Sequence, residues 1–362
     1  MIDIRLDEEQ QLIADTVRAF AQEQIRPAAR EADETGRIPS ELIEQAWQLA
    51  FVQASIPERY GGQGGPTSAV TGTVIAEAMA EGDLAIAVHA LSARLVVDPI
   101  LHIGSEEQKS TVLPRYAGDS FVAGSAAILE PQWNFAPSRM RTVARRRAGG
   151  YEIEGLKTMV PLANEAPYMV VYAADERDGR PCAFLLEAGT PGLVVGERDH
   201  HLGLKGLETF EVRFKGCRVP ESARLPGDAL VAIRRARVAQ SAMAVGVAKA
   251  SLSYAIDYAK EREAFGTKIA QKQAIAFMLA EMAIEVDAAR LLNWEAAWHL
   301  DQGEEGAREV AIARRYSADM AMMVTDNGIQ VLGGHGFIRD HPVEMWARNA
   351  RGFATFECLA SV

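Results

Sequence analysis

The chain has 362 residues, 48% of them hydrophobic, which is enough for two or three packed domains. A formal net charge of -11 and a pI near 5.3 speak against a nucleic-acid partner, because the phosphate backbone is bound through clustered Lys and Arg. The single basic run, Arg145-Arg146-Arg147, reads as a solvated loop.

Three widely spaced cysteines, Cys182, Cys217 and Cys358, fit a reducing compartment better than a disulfide framework. The start, Met1 to Arg5, lacks a basic segment followed by an apolar core, and no later apolar run approaches a membrane span. The expectation is a cytoplasmic protein with no membrane partner. Seven histidines show no metal-ligand spacing, and adjacent His200 and His201 read as loop residues.

From Leu6 to about Gly118 apolar residues recur at helical intervals, as in Leu12, Ile13, Val17, Phe20 and Ile25. Ser105-Glu106-Glu107-Gln108 is a capping box, and Ile56 to Gly62 a tight loop. Near Phe121 the spacing shortens: Tyr168 to Ala173, Ala183 to Leu186, Leu193 to Val195 and Thr209 to Phe214 read as strands between glycines. From Leu230 three long amphipathic helices follow. Their faces are Val238, Ala242, Val245, Leu252 and Ile256; then Ile275, Met278, Met282, Val286 and Ala289; then Val310, Ala313, Ser317, Met320 and Val324. The expected α+β architecture is an N-terminal helical domain (1–120), a small central β-domain, barrel or sandwich (121–227), and a C-terminal helical bundle (228–362). Small residues on the bundle faces allow close helix approach and leave surface for a second subunit.

After the third long helix come Gly333-Gly334-His335-Gly336-Phe337, then His341 to Glu344, Arg348 to Arg351, and Phe356-Glu357. A glycine-rich turn followed by a lone carboxylate among Phe353, Phe356 and Leu359 has the character of an active-site edge. Equally, the glycines cap a helix and the carboxylate is a solvated charge. No Rossmann glycine fingerprint or phosphate-binding loop is present.

The order of short motifs resembles the acyl-CoA dehydrogenase family across essentially the whole chain: Tyr60-Gly61-Gly62, Glu107-Gln108-Lys109, Glu130-Pro131, Gly155-Leu156-Lys157, Leu202-Gly203-Leu204, Val219-Pro220, Arg262 with Phe265-Gly266, Gln273-Ala274-Ile275, Gly333-Gly334 with Gly336-Phe337, Pro342-Val343-Glu344, and Glu357. The resemblance implies an FAD enzyme that removes an α-proton and a β-hydride from an acyl-CoA and gives a 2-enoyl-CoA. It further implies an electron-transfer flavoprotein as acceptor, and a dimer or tetramer in which neighbours share each flavin. Glu357 falls at the family's commonest base position. Other branches carry the base just before the arginine that is here Arg237, where this chain has Ala236. Burial among Phe353, Phe356 and Leu359 is expected to raise the pKa of Glu357 toward that of a useful base. Ile128, Leu129, Met159, Val160 and Pro161 match the flavin-ring wall. Arg262, Phe265, Gln273, Gln330, Gly333 and Gly334 match the residues that hold a neighbour's pyrophosphate and adenine. Arg234, Arg237 and Phe356 stand at substrate-binding positions.

Departures cluster around the ring. Leu129 replaces a threonine, Gln132 to Ala136 replace a Gly-Ser-Asp turn, and Met159-Val160-Pro161 replace Trp-Ile-Thr. Ala264 stands for a phosphate-binding threonine, Arg234 for an aspartate, and Cys358-Leu359 for Gly-Thr. Relatives also continue beyond this point with a segment that helps close the flavin site. Three readings therefore stand at this stage: a divergent dehydrogenase gripping FAD mainly through backbone amides, a flavin-site-reduced subunit of a hetero-oligomer, and a non-redox acyl-CoA-binding protein.

Overall fold

The computed structural model describes residues 5–362 apart from residue 66. Asp7 opens the chain's first helix with a capping box shared with Gln10. Helix α1 (Glu8–Phe20) runs through one π-turn into α2 (Arg26–Thr35), which stops at Gly36 with φ +69°. Six further helices follow: α3 (Ser40–Trp47), α4 (Phe51–Ser55), α5 (Ala69–Gly82), α6 (Leu84–Ala90), α7 (Arg94–Ile103) and α8 (Glu106–Val112). The Ser105–Gln108 box caps α8 as expected. In the Tyr60-Gly61-Gly62 turn, a Cβ on Gly62 would lie 2.1 Å from the Ile56 carbonyl oxygen, so only glycine fits.

The central unit contains seven strands: β1 (Gly124–Ala127), β2 (Val143–Arg147), β3 (Gly150–Pro161), β4 (Tyr168–Asp175), β5 (Pro181–Glu187), β6 (Leu193–Arg198) and β7 (Thr209–Pro220). They form one sheet in the order β1-β4-β2-β3-β7-β6, with β5 also on β4. The sheet is a half-barrel around Ile153, Val171, Phe184, Val212 and Phe214. Sequence spacing located β4 to β7 and missed β1 to β3. The expected solvated loop at Arg145–Arg147 is corrected: these residues lie on β2, in register with Glu152, Tyr151 and Gly150 of β3. The strand tolerates the charges because Arg145 and Arg146 reach Glu176 and Glu221, each at 3.1 Å.

In the C-terminal bundle, α9 (Ala229–Glu261) is followed by a two-stranded hairpin, β8 (Glu263–Ala264) and β9 (Thr267–Lys268). Helices α10 (Gln273–Asp301) and α11 (Ala307–Leu332), a 3-10 turn (Gly333–Phe337) and α12 (Val343–Ala350) complete it. Small residues do set the packing distance: a Cβ on Gly246 would lie 2.2 Å from the Glu77 carbonyl oxygen of α5, and one on Gly328 2.2 Å from Ser251 Oγ. The chain's end then ties the three units together. Arg348 bonds Asp33 of α2 at 2.7 and 2.9 Å and Glu344 at 2.8 Å, while Asn349 Oδ1 accepts the Leu204 amide at 2.7 Å.

Candidate active site

Glu357 follows a 3-10 turn, Phe353–Thr355, that starts at Gly352 with φ +74°. Phe353 and Ala354 are buried beneath it, and the carboxylate itself is not solvated, with a side chain only 1% exposed. That overturns the solvated-terminal-charge alternative. Two helices supply its counter-charges. Arg237 of α9 makes a bidentate pair, Nε to Oε2 at 3.0 Å and Nη2 to Oε1 at 2.7 Å. Arg314 of α11 places Nη2 2.9 Å from Oε1. The sequence expectation considered burial alone and left out these two guanidiniums.

The two arginines respond differently. Burial pulls the Arg237 guanidinium pKa down, but its bidentate hydrogen-bonded pairing with Glu357 outweighs burial and the net shift is upward. At Arg314 burial prevails and the net shift is downward. The Glu357 amide N–H has no acceptor among the described residues, so the residue offers a carboxylate and a free donor together.

Immediately after it, Cys358 adopts φ +52°, a region that favours glycine. Its side chain is buried with Tyr172, Leu95, Ile233 and Ala236, and burial pushes its thiol pKa up. Gln240 of α9 holds the turn from within, donating to the Phe353 carbonyl at 3.2 Å and accepting the Leu359 amide at 3.4 Å. Sequence reasoning assigned Gln240 and Arg314 no role. The available signals were a polar residue inside the apolar face of α9 and a cation beside the core position Ala313.

The ring-wall positions come together at the ends of β1 and β3. Ile128, Val160 and Pro161 are buried, and Leu129 and Met159 half-buried. Met159 has φ +52° at a bulge in the β3–β7 ladder between Lys157 and Val160. Beneath them Lys157, fully buried, donates to the Ile128 carbonyl and to Glu130 Oε1, both at 2.9 Å. Burial lowers the Lys157 pKa to about 8, against the pull of Glu130. Glu130 resists its own desolvation because Lys157 and the Arg141 and Thr142 amides hold its carboxyl below the usual range.

The other predicted cofactor positions lie on a different surface, facing outward. Phe265 and Gly266 form the two-residue tip of the β8–β9 hairpin with φ +53° and +78°. Phe265 is 96% exposed, a costly conformation and a costly exposure for an aromatic residue. The exposed Arg262 guanidinium makes no hydrogen bond or ion pair among the described residues. Gln273 and Gln330 are exposed as well, and Gly333 and Gly334 leave open space where a Cβ would stand. A free cation, a presented aromatic and bare backbone suit a phosphate-adenosine group and lie outside this chain's own core. The apolar wall suits a flavin ring, so the residues present fit FAD on both counts.

Of the substrate positions, Arg237 engages the carboxylate, Phe356 is half-buried beside it, and Arg234 pairs with Glu305 at 3.5 Å on the first turns of α9.

Residues 7–119, 125–217 and 228–357 match the families described as acyl-CoA dehydrogenase N-terminal, middle and C-terminal domains. The chain belongs to the acyl-CoA dehydrogenase family. An acyl-CoA dehydrogenase of Bacillus subtilis (strain 168) is 32% identical over 365 residues, which span 98% of this chain and 95% of that one. Butyryl-CoA dehydrogenase from Megasphaera elsdenii superposes with a TM-score of 0.87 at 29% identity, covering 96% and 94% of the two chains. A glutaryl-CoA dehydrogenase from Mycobacterium smegmatis in complex with FADH2 gives 0.86 at 27% identity, covering 98% and 92%. The left-handed backbone at Cys358 suits the glycine that the family resemblance expects after Glu357.

Proposed function

We propose that Glu357 is the catalytic base of this FAD-dependent acyl-CoA dehydrogenase, taking the α-proton of an acyl-CoA thioester that leaves as a 2-enoyl-CoA. The observation that carries the assignment is the buried carboxylate joined to a backbone amide without an intramolecular acceptor. The carboxylate receives the proton, and the amide N–H donates to the thioester oxygen as negative charge develops there. Lowering the α-proton's pKa by five units takes about 7 kcal/mol, since each unit is about 1.4 kcal/mol. One oxyanion donor supplies roughly 2.7 to 4 kcal/mol, so the Glu357 amide needs a second donor beside it.

FAD, when bound, would supply the hydride acceptor and a hydroxyl as that second donor. Ile128, Leu129, Met159, Val160 and Pro161 would line its ring. The replaced threonine and tryptophan positions leave main-chain amides and apolar contact to hold it. Arg262, Phe265, Gln273, Gln330, Gly333 and Gly334 would hold the adenine and pyrophosphate of a neighbouring copy's cofactor. Arg234, Arg237 and Phe356 line the approach of the thioester to the base.

A homo-oligomer follows from this division of the cofactor site. Phe277, Ile284 and Leu291 of α10 are 59%, 65% and 45% exposed at seven-residue intervals, a stripe suited to a second copy. Among the described residues no single helix is long and apolar enough to cross a membrane. The three cysteines are free and buried, which supports the cytoplasmic reading, with an electron-transfer flavoprotein as electron acceptor.

The test is a visible spectrum of the purified holoenzyme titrated anaerobically with butyryl-CoA and longer straight-chain acyl-CoAs. Bleaching of the flavin band by one of them, absent in Glu357→Gln with equal flavin content, is the expected result. Equal bleaching in the variant removes Glu357 from the mechanism.

A further inference from the structure

Arg314 is engaged by more of the active-site turn than any role in α11 packing requires. From its place in the bundle it donates Nε to the Ala354 carbonyl at 3.1 Å, and Nη2 to the carbonyls of Thr355 at 2.6 Å and Phe356 at 3.2 Å. Three consecutive carbonyls leading into Glu357 thus converge on one guanidinium, whose Nη2 also lies 2.9 Å from Glu357 Oε1. A planar guanidinium can span this set; an ammonium is a point charge and cannot.

The two carboxylate oxygens are consequently unequal. Oε1 faces Nη2 of both Arg237 and Arg314, whereas Oε2 accepts only Arg237 Nε. Oε2 is therefore the oxygen with a single guanidinium against it, and Oε1 the one with two.

We propose that Arg314 is a positioning residue that fixes the Phe353–Glu357 turn to α11, occupies Oε1, and so directs Oε2 at the substrate's α-carbon. The inference rests on Glu357 being the base. In the step itself the α-C–H bond breaks and an Oε2–H bond forms. The electron pair of the broken bond passes into the thioester enolate, and Oε1 stays with the two arginines.

The charges around the carboxylate come from every element packed on it: Arg237 from α9, Arg314 from α11, and the Cys358 thiol, which faces Tyr172 of β4. Arg314→Gln removes one of two adjacent cations. It thereby disfavours the carboxylate anion and moves proton uptake by Glu357 to higher pH. Arg314→Lys keeps the charge and loses the fork that spans the carbonyls.

The experiment compares wild-type, Arg314→Gln and Arg314→Lys holoenzymes by flavin bleaching in rapid mixing across pH, with the fastest-reacting member of a straight-chain acyl-CoA panel. A second readout is the infrared carboxylate band assigned to Glu357 by its loss in Glu357→Gln. We expect Arg314→Gln to lower the limiting rate about 10- to 100-fold with little change in KM. Its acidic limb and infrared titration should both move to higher pH. Arg314→Lys should return both titrations to the wild-type position while the limiting rate stays reduced.

An unmoved limb and band in Arg314→Gln, or a displaced one in Arg314→Lys, overturns the proposal. If Arg314→Gln does not fold, the lysine variant decides alone, a wild-type titration with a reduced rate supporting the proposal and any other combination refuting it. Full activity of Glu357→Gln is a separate outcome, which fails the base assignment rather than the clamp.

Discussion

Cys358 and Glu357 show how much of this site resides in single residues. A left-handed conformation at a non-glycine residue costs on the order of 1–3 kcal/mol, and here it falls on Cys358, whose side chain is buried in the same core cluster as Tyr172. The Glu357 carboxylate lies between α9 and α11, paired with Arg237 and Arg314. Glu357→Gln keeps the volume and should retain FAD and thioester binding, while flavin reduction slows by about 10²- to 10⁴-fold or more, measured in single turnovers. Lys157 and Glu130 act in support of the ring wall. Lys157→Met leaves a buried carboxylate without its cation, and should destabilise the fold by about 3–5 kcal/mol in urea titration. Glu130 has a depressed folded-state pKa. Its contribution to stability is complete above its ordinary value and lost as pH falls through the depressed one.

At the scale of elements, caps and hairpins decide where the site residues stand. Asp83 caps α6 by accepting the Ile86 amide at 2.9 Å and receives Asn349 Nδ2 at 3.2 Å. Burial raises its pKa from 3.8 to about 6, so the folded protein holds this proton more tightly than the unfolded chain. Stability from this group is present at low pH and declines as pH rises from about 4 to 6, by about 3 kcal/mol for a shift of two units. Asp83→Asn should flatten that decline, read from urea midpoints on either side of the window. The β8–β9 hairpin presents its residues outward instead. Arg262→Ala should weaken FAD retention, measured as flavin per protein after gel filtration, and leave the thermal midpoint in place, since the side chain has no intramolecular partner among the described residues. Unchanged retention would remove Arg262 from the cofactor site.

For the whole molecule, the arrangement is an interior site with part of its cofactor surface turned outward. The base is enclosed by α9, α11 and the terminal turn, while Phe265, Arg262 and the Gly333–Gly334 backbone face away from it. On the proposed division of the cofactor site, the chain would complete its flavin site by association. Phe277→Glu combined with Ile284→Glu should lower the assembly mass in light scattering, because each introduces a charge on the exposed stripe of α10. An unaltered mass would show that the copies meet elsewhere.

Helical periodicity alone determined the bundle: Val238, Ala242, Val245 and the α11 face from Val310 to Val324 are buried as their spacing requires. Motif order singled out Glu357 and the outward-facing residues proposed for the cofactor. Strands β1 to β3 escaped because their residues answer to partners across the sheet rather than to an alternating pattern, as Arg145–Arg147 illustrate. What only the tertiary structure decided is the electrostatic setting of the base. Arg237 and Arg314 lie 120 and 43 residues from Glu357 in the chain, and no local pattern records that two helices bring both guanidiniums onto one carboxylate. Sequence carries local conformation and the identity of the reacting group. The guanidiniums that face Glu357 meet it only when the bundle closes.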